Sequence, residues 1–170
     1  MRITNDIINN RVALINSGVL FYGKRDIVLN RKSEDTVILD NIYMGDLVWE
    51  QYGTQPAKIY EDSDGTRMES DPSINNNQSS GLSTIVKPMK ACTLTLDWDV
   101  SSEYYYDYFY VVIDGETKLR KSGYKKETFT YVHESAEDFQ IQLFFKKDYS
   151  VTRGRDNFIV RNFKISLKED

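Results

Sequence analysis

The chain has 170 residues, 40% hydrophobic and 13% aromatic, with 12 tyrosines and a formal net charge of -4. That apolar and aromatic content argues for a folded core and against disorder, and the acidic balance argues against nucleic-acid binding. The single cysteine excludes an intramolecular disulfide framework and any metal site built from several thiolates.

No apolar run approaches the ~20 residues that cross a bilayer as a helix, so membrane insertion is not expected. The opening MRITNDIINN carries no apolar stretch of the secretory-leader type. The expectation is therefore a chain intracellular at synthesis, part of a particle assembled in a cytoplasm, or a fragment of a longer chain.

In chain order, residues 1–40 read as an N-terminal segment and residues 41–170 as the main domain. Over residues 1–17, Ile3, Ile7, Ile8, Val12 and Ile15 approximate a helical stripe that Gly18 could end. The β-branched and asparagine content opposes this, so a short helix, a strand and irregular structure all stay open. The segment is also a candidate docking or oligomerisation arm, packed on the domain that follows. Residues 19–22 and 27–29 read as strands around a hairpin loop at Gly23 to Asp26, and residues 37–39, 42–43, 47–49 and 58–60 follow. Residues 73–81 form a polar run that resembles a linker. A sandwich core needs more strands than residues 82–167 supply, so one domain with a long surface loop is the expectation.

The clearest pattern comes next. Cys92, Leu94, Leu96, Trp98 and Val100 alternate with Thr93, Thr95, Asp97 and Asp99, the period of a strand with one buried face. Cys92 and Trp98 therefore belong to the core, while Trp49 could be either core or surface, the core being preferred. A corner at Ser101 to Glu103 leads into residues 108–113, and Asp114-Gly115 turns a hairpin into residues 117–120. Phe129, Tyr131 and His133 then alternate with polar partners. So do Phe139, Ile141, Leu143 and Phe145 with Gln140, Gln142 and Phe144, and Phe163, Ile165 and Leu167 close the series. Short strands with turn signals every ~8–12 residues predict an all-β fold, an antiparallel β-sandwich or jelly roll. The basic cluster Lys118, Arg120, Lys121, Lys125 and Lys126 reads as a solvated rim that blocks edge-to-edge pairing.

Further motifs carry a family resemblance. They are Ser73-Ile74, Gln78 to Leu82, Thr93 to Glu103, Tyr106-Asp107-Tyr108, Val112 to Gly115 and Ser122-Gly123. Later come Phe145 to Val151, Gly154, Asp156 and Phe158 to Phe163. Together, over residues 47–167, the pattern resembles the MAM-type, concanavalin-like jelly roll of bacterial surface proteins and of siphophage tail or baseplate proteins. The resemblance implies a non-enzymatic, virion-associated protein of a phage infecting Gram-positive bacteria, located in the tail and serving host adsorption. Its expected partners are phage tail proteins or a host cell-wall glycan, with a homo-oligomer as one arrangement. The alternative is a carbohydrate-binding module of a bacterial surface protein or secreted enzyme. One departure is Arg161, which stands where the family often carries an acid and weakens any cation site there.

No Gly-x-Ser-x-Gly, His-Glu-x-x-His or phosphate-cradling glycine loop occurs. His133 is the only histidine and sits at a strand end, so catalysis is not expected. A pair of glycosidase carboxylates cannot be recognised from spacing alone. Glu103, Asp107 and Asp156 lie on corners that could meet at one end of a sandwich, where oxygen donors suit calcium. The competing reading makes them carboxylates hydrogen-bonded within turns. No other cofactor is expected. Tyr104, Tyr105, Tyr106, Asp107 and Tyr108, with Tyr110 beyond, form the candidate ligand site, because aromatic faces stack on sugar CH groups beside polar hydrogen-bonding partners. Ordinary strand packing of alternate tyrosines is the alternative.

Overall fold

Alternation along nearly every strand decides this architecture. The computed structural model describes residues 41–149 and 154–168 with their side chains, and before them only the backbone of four short strands. These are Ile7–Ile8 (β1), Arg11–Val12 (β2), Leu14–Asn16 (β3) and Val19–Phe21 (β4), with β1 paired to β2 and β3 to β4. Where residues 1–17 are described they are thus strand, which corrects the helical alternative. The loop at Gly23 to Asp26, residues 27–29 and 37–39, and any packing of residues 1–40 on the domain lie outside the described residues.

The remaining strands are Asn41–Tyr43 (β5), Glu50–Gly53 (β6), Gln55–Pro56 (β7), Lys58–Asp62 (β8), Gly65–Glu69 (β9) and Ser79–Val86 (β10). Then come Cys92–Ser101 (β11), Tyr108–Ile113 (β12), Glu116–Lys121 (β13), Tyr124–His133 (β14), Phe139–Lys146 (β15) and Asn157–Leu167 (β16). All of these but β7 form a five-stranded sheet in the order β13-β12-β15-β10-β6 and a six-stranded sheet in the order β14-β11-β16-β9-β8, with β5 also on β16. Every strand pairing among the described residues is antiparallel. From β9 onward the chain changes sheet at each strand, except at the β12–β13 hairpin. That winding makes the sandwich a jelly roll.

Both inner faces follow the period-two pattern. Cys92, Leu94, Leu96, Trp98 and Val100 of β11 are buried, as are Phe139, Ile141, Leu143 and Phe145 of β15. Phe109 joins the sheets, stacking on Phe158 at 4.8 Å between centroids and lying 6.0 Å from Trp98. Trp49 packs against this core, edge-on to Phe163 at 5.6 Å, and its indole N–H donates to the Met44 carbonyl at 2.9 Å. The polar run is a crossing between sheets, anchored by buried Ile74 and by the Asn77 N–H, which donates to the Asp148 carbonyl at 2.7 Å. At Asp114-Gly115 both residues have positive φ (49° and 77°), as the tight hairpin turn requires.

Candidate functional site

The corner after β11 is built by small polar groups. Ser102 Oγ accepts the Gly123 N–H at 3.1 Å and donates to the Asp107 carbonyl at 2.9 Å, tying β11, β12 and the β13–β14 turn together. Tyr104 lies over Gly123, where an added Cβ would stand 2.3 Å from the ring, so only glycine lets the ring seat there. Tyr105 has φ of 69°, is pinned by its N–H to Ser122 Oγ at 3.0 Å, and leaves its side chain 79% exposed. Tyr106 is exposed beside it.

The five residues singled out from the sequence therefore separate. Tyr105, Tyr106 and Tyr108 line one hollow of about 230 Å³, together with Tyr110, Arg120, Lys146, Lys147 and Asp148. Tyr104 supports the rim. Asp107 is 0% exposed, so it supports the corner from within and cannot meet a ligand at the surface.

Strand register extends the hollow into a groove. Arg120 of β13 faces Tyr110 of β12, Tyr110 faces Phe144 of β15, Phe144 faces Gly81 of β10, and Gly81 faces Tyr52 of β6. One rung thus crosses all five strands on the outer face. Tyr110 and Phe144 stack at 4.7 Å with an interplanar angle of 8°, and Phe144 meets Tyr52 at 4.8 Å. The last contact passes over Gly81, which has no side chain to separate the rings. The Arg120 guanidinium lies 3.7 Å from the centroid of Tyr108. On one side the neighbouring rung is Tyr108–Lys146–Ser79; on the other it is Val112–Gln142–Ser83–Glu50. A second hollow of about 500 Å³, lined by Tyr52, Gly53, Ser79, Tyr110, Phe144 and Lys146, shares Tyr110 and Lys146 with the first. With strands about 4.8 Å apart, four spacings give a track about 19 Å long.

The outer face of the six-stranded sheet is different. Asp97 accepts Thr128 Oγ1 at 2.5 Å and Asn162 Nδ2 at 2.7 Å, and these bonds hold its carboxyl below the usual range. Arg161, the residue that departs from the family pattern, grips Asp62 through both terminal nitrogens at 3.1 and 2.8 Å. That fork, helped by the Asp64 N–H and Arg67, brings the Asp62 carboxyl down to about 2. A hollow of about 570 Å³ at the β11–β14 edge has Tyr124 as its only aromatic, and its Arg155 is already bonded to Asp99 at 2.9 Å. The basic cluster divides as well. Lys118 pairs with Glu116 at 2.6 Å on the edge strand β13, whereas Arg120 belongs to the groove.

The proposed calcium ligands are arranged otherwise than expected. Asp107 and Asp156 do meet, but the Lys147 ammonium stands between them, bonded to Asp156 Oδ2 and 3.9 Å from Asp107 Oδ2. That internal cation supplies the positive charge the two carboxylates need. Among the described residues, no three His, Cys, Asp or Glu side chains come together to hold a metal ion. His133 stacks on Phe139 at 4.4 Å, and its Nε2 lies 2.9 Å from the Glu137 carbonyl and 3.0 Å from Ser135 Oγ.

Tyr52, Phe144 and Lys146 are not among the site residues expected from the sequence, and Arg120 is expected there only as part of a solvated rim. One signal was available: Phe144 stands on the otherwise polar side of the Gln140, Gln142, Phe144 alternation. No family model matches the chain, and no curated protein matches it. Solved structures do share the fold. The secreted serine protease VesC of Vibrio cholerae aligns over 71% of this chain and 24% of its own, at TM-score 0.53 and 12% identity. This chain therefore spans about a quarter of that protein's length. The K1 cleaved adhesin domain of Lys-gingipain from Porphyromonas gingivalis aligns over 76% and 98%, at TM-score 0.50 and 7% identity. TmCBM61, solved with β-1,4-galactotriose, aligns over 71% and 88%, at TM-score 0.47 and 11% identity. These likenesses concern the β-sandwich alone.

Proposed function

We propose that the chain is a non-enzymatic glycan-binding module whose groove crosses the outer face of the five-stranded sheet. The observation that carries this reading is the rung Tyr52–Gly81–Phe144–Tyr110–Arg120, an unbroken aromatic track ending in a cation. Sugar rings present CH faces to aromatic planes and hydroxyls to polar neighbours. Here the neighbours are Gln142, Ser83 and Ser79 on the flanking rungs. Arg120 and Lys146 add positive charge, so a chain bearing carboxylate or phosphate groups binds more tightly than its neutral counterpart. The bacterial cell-wall glycan expected from the sequence resemblance meets that description.

The test is a glycan array of neutral and anionic polysaccharides, followed by titration of the best ligand against wild type and Tyr110→Ala. Loss of the central ring should cost about 2 kcal/mol, or roughly thirtyfold in Kd. An array with no retained glycan sinks the reading, as does unchanged affinity in Y110A.

A place in the tail or baseplate of a siphophage is the setting we propose from the sequence resemblance. In that setting the groove would hold the particle on the host wall. Gold labelling of purified particles tests it independently of the ligand, and particles without label refute it.

A further inference from the structure

Away from the groove surface, three ionisable groups share a volume that water barely reaches. Lys147 is 2% exposed, Asp107 0% and Asp156 5%. Lys147 Nζ contacts Asp156 Oδ2 directly, and Asp107 Oδ2 stands 3.9 Å from the same nitrogen. Asp107 is fixed through its other oxygen, which accepts the Asp148 N–H at 2.8 Å. Among the described residues, Asp107 Oδ2 and Asp156 Oδ1 are buried without a hydrogen-bond partner. Two buried carboxylates facing one ammonium form a costly arrangement when lone pairs go unmatched. Burial pushes the Asp107 carboxyl up, against the opposing pull of the Asp148 N–H and Lys147.

We propose that Lys147 and Asp156 condense into an intramolecular amide, with Asp107 serving as the acid–base group. Each step balances. The ammonium first passes a proton to the Asp156 carboxylate, leaving a neutral amine against a neutral acid. The nitrogen lone pair then bonds to Asp156 Cγ, while protonated Asp107 donates to the Asp156 oxygen on which charge develops. The C–O bond to the other oxygen breaks. That oxygen leaves as water, carrying the proton it received and one released by nitrogen through Asp107; the proton lent to the remaining oxygen returns to Asp107 as the carbonyl re-forms, so Asp107 ends the cycle protonated. Nothing is oxidised or reduced, and no co-reactant enters.

The product explains the geometry. Condensation replaces two buried charges with one neutral amide and gives Asp107 Oδ2 a partner in the new carbonyl. It ties the end of β15 to the start of β16 beneath the hollow that Tyr105, Tyr106 and Asp148 line.

Intact mass spectrometry of the unfolded full chain reads the proposal directly. Wild type should weigh one water less than its sequence, and tandem spectra of a digest should contain a branched peptide joining Lys147 to Asp156. Lys147→Arg and Asp156→Ala should show the full mass. Asp107→Asn, shown to be folded by its thermal melt, should also show the full mass. A wild-type chain of full mass overturns the proposal. So does a water loss without the branched peptide, which a succinimide at Asp114-Gly115 would produce. A cross-linked D107N chain refutes the role of Asp107. Should D107N not fold, the wild-type mass alone decides whether the bond exists.

Discussion

Replacing Gly81 with alanine tests both the sandwich and the groove. The added Cβ would sit 2.3 Å from Phe144 Cβ, 2.5 Å from the Leu143 carbonyl oxygen and 2.8 Å from Phe144 Cα. Two of these atoms are backbone of β15, which is held between β10 and β12, so no side-chain rotation relieves the clash. Overpacking of this kind costs about 1–3 kcal/mol, and a displaced strand belongs at the upper end. For a chain of this size, about 3 kcal/mol lowers Tm by roughly 6–12 °C. The control is Gly45→Ala, since a Cβ there meets nothing within 4 Å, and its melt should overlay the wild type. Calorimetry measures the drop, and titration with the glycan found on the array measures the groove. Because the methyl also wedges between Tyr52 and Phe144, the affinity of the folded fraction should fall as well. A G81A protein that melts with the wild type would mean that the five-strand rung is not packed as described.

Other outcomes follow from single contacts. Phe144→Ala removes two ring contacts worth about 0.5–1.5 kcal/mol each, so about 1–3 kcal/mol of stability should be lost, read as a lower urea midpoint. Asp62 should contribute to acid stability: its folded value of about 2 lies below the ordinary ~3.9, so its contribution is full above about pH 4 and fades as pH falls through about 2. Asp62→Asn should therefore melt below wild type near about pH 6 and alongside it near about pH 2, and a gap that persists in acid would refute the Arg161 fork. Chelation should leave Tm unchanged, since Lys147 already stands between Asp107 and Asp156; a drop with chelator, reversed by calcium, would reinstate the cation site.

Period-two alternation made the inner faces legible, because a buried strand face tolerates few exceptions. The β11 core residues and the jelly-roll class follow from it, and the Asp114-Gly115 hairpin from the turn preference of that pair. Pairing was not legible, because register is a relation between distant strands. Phe144 meets Tyr110 and Gly81 only once β15 lies between β12 and β10, and no local pattern reports that neighbourhood. Asp107 misled for a related reason. A carboxylate on a tyrosine-rich corner resembles a surface hydrogen-bonding group, yet here it turns inward to the Asp148 N–H and Lys147. The position of Lys147 was equally hidden, since a lysine at a strand end is ordinarily a solvated charge.

The two outer faces also explain why a sheet and not a loop would hold the ligand. On the six-stranded sheet, Asp97, Asp62, Arg161 and Asn162 spend their hydrogen-bonding capacity on one another. On the five-stranded sheet the outward groups are aromatic rings and two cations, and among the described residues neither Arg120 nor Lys146 forms an ion pair with a carboxylate. Strand hydrogen bonds already fix the rings in register, so a ligand laid across them orders little of the protein and loses little affinity to that ordering. Tyr105 lies instead on the corner, largely exposed, and can contribute only at one end of the track. Tyr105→Ala should therefore weaken binding less than tenfold while Tyr110→Ala costs roughly thirtyfold. The reverse order, measured by titration on the same glycan, would move the site from the sheet to the corner.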